Sequence, residues 1–294
     1  MTTLLRSALL ACFGLLLLPL YGAAQQVSGT VSSATSQQPL PFVNIGLPAR
    51  GLGTVADEQG RYQLRYNPAY AADTVRISSV GFEPRLVTFA TLLAAPNVAL
   101  TPAAVSLTEV SVLANNTKLR THTLGLAKPS SHFDMHMSSN ELGTELGTII
   151  RLARRPALVQ TLHIAVVKNE AGPLTFRLNL YRLDAKGLPT NDKLLSRDVL
   201  LTASATPGVL TADLTADHLV LDQDFLLAVE WVKGTDAAAT DLTKRLGFGG
   251  SLSYGYDIFM RRTSQAAWKK PTFKSNMPLL GLRPQVAFYT TVRD

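Results

Sequence analysis

Short β-prone runs, each closed by turn residues, constrain this chain more than any other feature. They fall at 27–31, 42–47, 62–65, 74–79 and 85–89, and again at 159–167, 174–181, 209–214 and 225–232. Gly, Pro, Asn and Asp stand between them, and in the first half no run keeps a helical period over a dozen residues. Strands of this length at such spacing predict an all-β protein made of sandwiches. Residues 26–104 read as a small sandwich, 105–129 as a linker, and 130–294 as a second, larger sandwich of jelly-roll type. Charged side chains make up 17% of the 294 residues, below the roughly 25% usual for soluble domains, as suits a β-rich chain. Asp57-Glu58-Gln59-Gly60 predicts a hairpin tip, because Asp closes a turn on nearby N–H groups and Gly accepts positive φ. Pro39 and Pro41 flank the start of the next strand, where a missing N–H does little harm.

The first 24 residues read differently. Arg6 precedes an apolar core over 8–20, and Gly22, Ala23 and Ala24 supply small side chains before Gln25, the pattern of a cleaved secretory signal. Pro19 and Gly22 cut the run short of the ~20 residues a membrane-spanning helix needs. The one cysteine, Cys12, lies inside the apolar core rather than after it, so it reads as filler and not as a lipid attachment site. An exported protein, periplasmic or at the cell surface, with no transmembrane segment in its mature chain is expected. It would hold together by packing, since no cysteine remains for a disulfide or a Cys-based zinc site.

Lys and Arg number 28 against 21 Asp and Glu, for a formal net charge of +7. Basic clusters stand at Arg151, Arg154 and Arg155, at Arg261 and Arg262, and at Lys269, Lys270 and Lys274. Export and the lack of a binding motif argue against nucleic acid, so these read as solvated charge.

Four segments in order carry a resemblance. Gly29-Thr30-Val31, then 39–45 (PLPFVNI), then Gly53-Thr54-Val55-Ala56-Asp57 with Gly60 and Tyr62, then 73–78 (DTVRIS) with Gly81-Phe82, resemble the carboxypeptidase regulatory-like domain of exported Bacteroidota proteins. The resemblance implies a transthyretin-like, seven-stranded sandwich without catalytic residues. Residues 106–112 (SLTEVSV) are similar to the connector that follows this domain in TonB-dependent transporters. The remaining chain is too short for a plug and a barrel of ~22 strands. Further on, Gly147-Thr148-Ile149-Ile150, 176–181 (FRLNLY), Leu194-Leu195 and Ala228-Val229-Glu230-Trp231 are similar to the C-terminal halves of Bacteroidota proteins with the same first module. That similarity brings no activity with it.

Catalytic parts are scarce in the sequence. His132 and His136 flank Asp134, but Phe133, Met135 and Met137 alternate with them, which predicts a strand with the polar three on one face. Two imidazoles about 13 Å apart along a strand do not make a metal site unaided. His122, His163 and His218 have no companions at ligand spacing. The segment 249–255 (GGSLSYG) misses a nucleophile elbow, and Gly247, Gly249 and Gly250 read as hairpin flexibility rather than a phosphate loop. Glu230 sits inside an apolar strand where burial would raise its pKa, yet no second carboxylate can be named from the sequence. No catalytic residue, metal or cofactor is expected.

Strand parity gives the sharpest expectation about binding. With Leu162, Ile164, Val166, Phe176, Leu178, Leu180, Phe225, Leu227, Val229 and Trp231 turned to the core, His163, Arg177, Asn179, Tyr181 and Glu230 turn away from it. These five are expected to share a polar sheet face open to a glycan or an envelope protein. Trp268, beside Lys269 and Lys270 and near Tyr254 and Tyr256 in sequence, is a second binding patch. The function expected is a non-enzymatic binding or assembly module of the cell envelope. Two alternatives stay open, a glycan- or peptide-active hydrolase and a structural spacer, as does the oligomeric state.

Overall fold

The computed structural model describes residues 25–103, 119–137, 142–170, 172–234, 246–254, 258–271 and 281–294. The expected leader, the connector at 106–112, Tyr256 and Lys274 lie outside the described residues. The chain is nearly all β.

The first unit has seven strands: β1 (Gln25–Ser33), β2 (Asn44–Leu47), β3 (Leu52–Val55), β4 (Arg61–Tyr66), β5 (Thr74–Ser78), β6 (Arg85–Thr88) and β7 (Val98–Leu100). They form a sheet in the order β4-β1-β7 and a second in the order β3-β2-β5-β6. Val31, Ile45, Tyr62, Val75, Ile77 and Leu100 fill the space between them with Phe89 and Leu92. Those last two belong to a one-and-a-half-turn helix, α1 (Phe89–Ala94), capped by the Thr88 hydroxyl accepting from Thr91 N–H at 3.2 Å. The 85–89 run therefore stops as a strand one residue early. All pairings here are antiparallel except β1 with β7, which is parallel from Val31 opposite Val98. At the predicted tip, Asp57 Oδ1 accepts from the N–H groups of Gln59 and Arg61 at 2.9 and 2.8 Å. Gly60 has φ +71°, and a Cβ there would lie 2.5 Å from the Val31 carbonyl oxygen.

The second unit comprises β8 (Thr121–Gly125), β9 (Ser130–Met137), β10 (Glu145–Ile150), β11 (Ala157–Asn169), β12 (Leu174–Leu183), β13 (Pro189–Lys193), β14 (Val199–Ala203), β15 (Gly208–Asp213), β16 (Val220–Leu221), β17 (Phe225–Lys233), β18 (Leu246–Ser253), β19 (Ile258–Arg261), β20 (Arg283–Val286) and β21 (Phe288–Arg293). One sheet runs β13-β12-β17-β10-β19, with β14 also on β12. The other runs β20-β18-β11-β21-β8, with β9 on β18 and with β15 and β16 on β11. Phe176, Trp231, Phe248 and Phe288 meet edge to face between them at centroid distances of 5.2 to 5.9 Å. The stretch expected as linker thus supplies β8, a short polar strand at the sheet edge whose pairing with β21 the sequence does not announce. Gly247, Gly249 and Gly250 are not in a hairpin but inside β18. A Cβ on Gly249 would sit 2.8 Å from Pro129, and one on Gly250 2.7 Å from Phe133. These glycines allow β18 to lie close under its neighbours.

An antiparallel sheet with one wet face alternates in burial along each strand. β2, β10 and all but the last residue of β17 are buried throughout. Both of their faces are covered, because the first unit lies on the outer face of the β12–β17–β10 sheet. Phe42 and Val55 pack there against Val232 and Leu142. Thr263 fits against Gly46 and Gly53, where a Cβ on Gly53 would fall 2.0 Å from its Oγ1. Lys233 Nζ reaches Glu58 Oε1 at 2.8 Å across the same junction.

Candidate functional site

The covered face carries most of the chain's unusual chemistry. Register places Arg177 on β12 opposite Glu230 on β17, Glu230 opposite Glu145 on β10, and Glu145 opposite Arg261 on β19. The outcome is a row across four strands with charges in the order plus, minus, minus, plus. Two like charges directly opposite would repel, so each carboxylate is held from its outer side. Arg177 Nη1 lies 3.1 Å from Glu230 Oε2, and Arg261 places Nη2 and Nε at 2.7 and 2.9 Å from Glu145 Oε1. Asn179 Nδ2 donates to Glu230 Oε2 at 2.9 Å and reaches Glu145 Oε2 at 3.4 Å. The Tyr181 hydroxyl donates to Glu145 Oε2 at 2.8 Å while accepting from Arg261 Nη2 at 2.8 Å.

Around the row, Arg177 also donates through Nη2 to the Phe42 carbonyl of the first unit and forms an ion pair with Asp198 at 3.0 Å. Arg261 donates to Asn191 Oδ1 at 2.6 Å and stacks 4.0 Å from the Trp268 ring centroid. Trp268 in turn meets Tyr181 edge to face at 5.4 Å and donates to the Thr190 carbonyl at 3.0 Å.

The two glutamates titrate in opposite directions. Burial pushes the Glu145 carboxyl up, and the neighbouring Glu230 charge adds to this, so the pull of Arg261 leaves it above the ordinary glutamate range. Burial also pushes on Glu230, but Arg177, Lys193 and the Asn179 hydrogen bond outweigh it and hold that carboxyl below its usual value. Burial and the Glu145 charge raise the Tyr181 hydroxyl well above an ordinary tyrosine.

Parity is as read from the sequence for Arg177, Asn179, Tyr181 and Glu230, which do share a face. The expected exposure is corrected: Glu230 and Tyr181 are 0% exposed and Arg177 and Asn179 2%. Residues around Thr263 and Trp268 and the first unit cover them, a tertiary contact no local pattern encodes. His163 does not join them. It lies on β11 in the opposite sheet, stacked on Tyr289 at 4.4 Å and bonded to the hydroxyls of Thr161 and Thr211 at 2.8 and 2.9 Å. Trp268, expected in a separate patch, packs half-buried against this cluster, while Tyr254 is 66% exposed. Arg261, read as solvated charge, is 3% exposed.

Glu145 and Arg261 are the members that sequence reasoning missed. Each stands at the end of a short apolar strand, a weaker signal than the interior position that singled out Glu230. His132, Asp134 and His136 occupy the exposed face of β9, with His136 3.3 Å from Asp134. Among the described residues no group of three or more His, Cys, Asp or Glu is placed to hold a metal.

Beside the row, an open cleft of about 370 Å³ separates the two units. Its wall includes Asn44, Arg76, Ser78 and Phe82 from the first unit and Arg177, Asp192, Lys193, Ser264 and Gln265 from the second.

Among solved structures, the chain is similar to the clostridial cysteine protease Cwp84 after propeptide cleavage, at 6% identity over 59% of this chain and 40% of that one, with a TM-score of 0.39. It is also similar to the cysteine protease and lectin-like domains of Cwp84 from Clostridium difficile, at 7% identity over 51% and 32%, with a TM-score of 0.33. The chain spans less than half the length of either, and both scores lie below 0.5, so neither likeness decides fold or function. No curated protein matches the sequence. The family model of the CarboxypepD_reg-like domain matches residues 27–112, which hold all seven strands of the first sandwich but the first two residues of β1. The first unit of this chain is therefore a carboxypeptidase regulatory-like domain.

Proposed function

We propose that this protein is a non-catalytic, exported binding or assembly module of the cell envelope, in which the regulatory-like domain and the second sandwich act as one body. One observation carries the reading. The residues best equipped for chemistry, Glu145, Glu230, Arg177, Arg261 and Tyr181, neutralise one another at no more than 3% exposure, where no substrate reaches them. The row sets register within the second sandwich, the best-attested use of buried ion pairs, and Arg177 extends it to the first unit by donating to the Phe42 carbonyl. Export rests on the leader pattern at 1–24. No helix among the described residues is long and apolar enough to cross a membrane.

A hydrolase reading has one observation in its favour, a carboxylate pair whose pKa values are driven apart, as acid and base partners are in glycosidases. Complete burial weighs against it. The test is to offer the purified protein glycan, peptidoglycan and peptide libraries and to score capture and turnover separately. Capture without turnover is expected. Reproducible hydrolysis that disappears in Glu230→Gln would overturn the proposal.

A further inference from the structure

We infer that the cleft between the two units is a binding site for a small hydroxylated carboxylate, the chemistry of a sugar acid, with its acid group seated between Arg76 and Lys193. This deepens the binding reading above and rests on it.

The cations in and beside this cleft differ in how they are held. Arg177 and Arg261 are taken up by Glu230, Asp198 and Glu145. Arg76 and Lys193, which enter the cleft from opposite units, form no ion pair among the described residues. Arg76 stands on β5 between Val75 and Ile77, so parity turns it out of its own core and toward the second unit. Its Nε is sealed from solvent and has no hydrogen-bond acceptor among the described residues. Buried polar groups are as a rule bonded, and an orphaned guanidinium N–H in a cleft marks where an acceptor belongs. Burial lowers the pKa of Arg76, and no neighbouring acid raises it. For Lys193 burial also prevails, although Glu230 and Glu145 pull the other way. Lys193 is balanced from beneath by Glu230, Glu145 and Asp198, and Asp192 adds one negative charge to the wall. The single cation of the wall without a nearby acid among the described residues is therefore Arg76, which suits a monoanion such as a carboxylate rather than a doubly charged phosphate.

The remainder of the wall selects the scaffold. Ser78, Ser264 and Gln265 offer donors and acceptors for hydroxyl groups, and Phe82 offers an apolar plane. A volume of about 370 Å³ lies at the lower end of known small-molecule sites, room for one sugar-sized unit and not for a folded partner.

The test is calorimetric titration of the purified protein with D-glucuronate and, in a second arm, with an oligogalacturonate, which separates a free sugar acid from one within a polymer. D-glucose and inorganic phosphate serve as controls. Saturable binding in either acid arm, weaker in high salt and weakened about tenfold or more by Arg76→Gln with an unchanged melting temperature, is expected. Should Arg76→Gln fold poorly, Lys193→Gln reads the opposite wall in the same way. Absence of binding in both acid arms, glucose or phosphate binding as tightly as glucuronate, or affinity indifferent to both substitutions would overturn the assignment. Capture of some other ligand without turnover would then leave the binding reading standing, whereas turnover lost in Glu230→Gln would sink that reading itself.

Discussion

The energetic weight of single residues is concentrated where charge is buried. Removing one member of a buried ion pair strands the other, at a cost of about 3–5 kcal/mol. Glu230→Gln leaves Arg177, 2% exposed, with Asp198 as its remaining acid among the described residues, so a loss toward the lower end of that range is expected in the denaturant midpoint. Its pH dependence has a definite sign. The folded-state pKa of Glu230 is depressed, so its contribution is full above the unfolded value of about 4.3 and fades as pH falls through the folded value. Glu230→Gln should therefore flatten the acid limb of the stability profile, and an unchanged limb would show that Glu230 is not held by Arg177. Gly60→Val meets two penalties at once, a φ of +71° and a Cβ 2.5 Å from a backbone oxygen. A loss of at least 1–2 kcal/mol is expected, and a negligible change in midpoint would contradict the hairpin geometry.

Between elements, the decisive feature is that the β12–β17–β10 sheet has no wet face. Its inner residues were legible, because alternation of Phe176, Leu178 and Leu180 with Arg177, Asn179 and Tyr181 fixes which side meets the core. What covers the other side was not legible, since the apolar contact of Phe42 and Val55 with Val232 joins residues far apart in sequence. β8 and β13 were missed for a related reason: Thr-His-Thr-Leu-Gly and Pro-Thr-Asn-Asp-Lys are strands by virtue of their neighbours, not their composition. The same contact is open to test. Val232→Asp buries an unpaired charge between the units and should split thermal unfolding into two transitions, one for each sandwich. A single transition with both units still cooperative would argue that the junction carries little of the stability. Glu58→Ala removes only the exposed pair with Lys233 and should change stability by no more than about 1 kcal/mol.

At the scale of the whole molecule, the described residues form four β-sheets: the outer sheet of the second sandwich, its inner sheet bearing the charge row, and the two sheets of the regulatory-like domain that lies on it. A face that looks like a ligand platform in the sequence is an internal seam in the structure. Side-chain accessibility measures that seam directly. Hydroxyl-radical footprinting of the intact protein compares buried Tyr181 with Tyr254, which is 66% exposed. Strong modification of Tyr254 with Tyr181 protected until the protein unfolds is the result the layered arrangement predicts; labelling of both at similar rates in the native protein would contradict it.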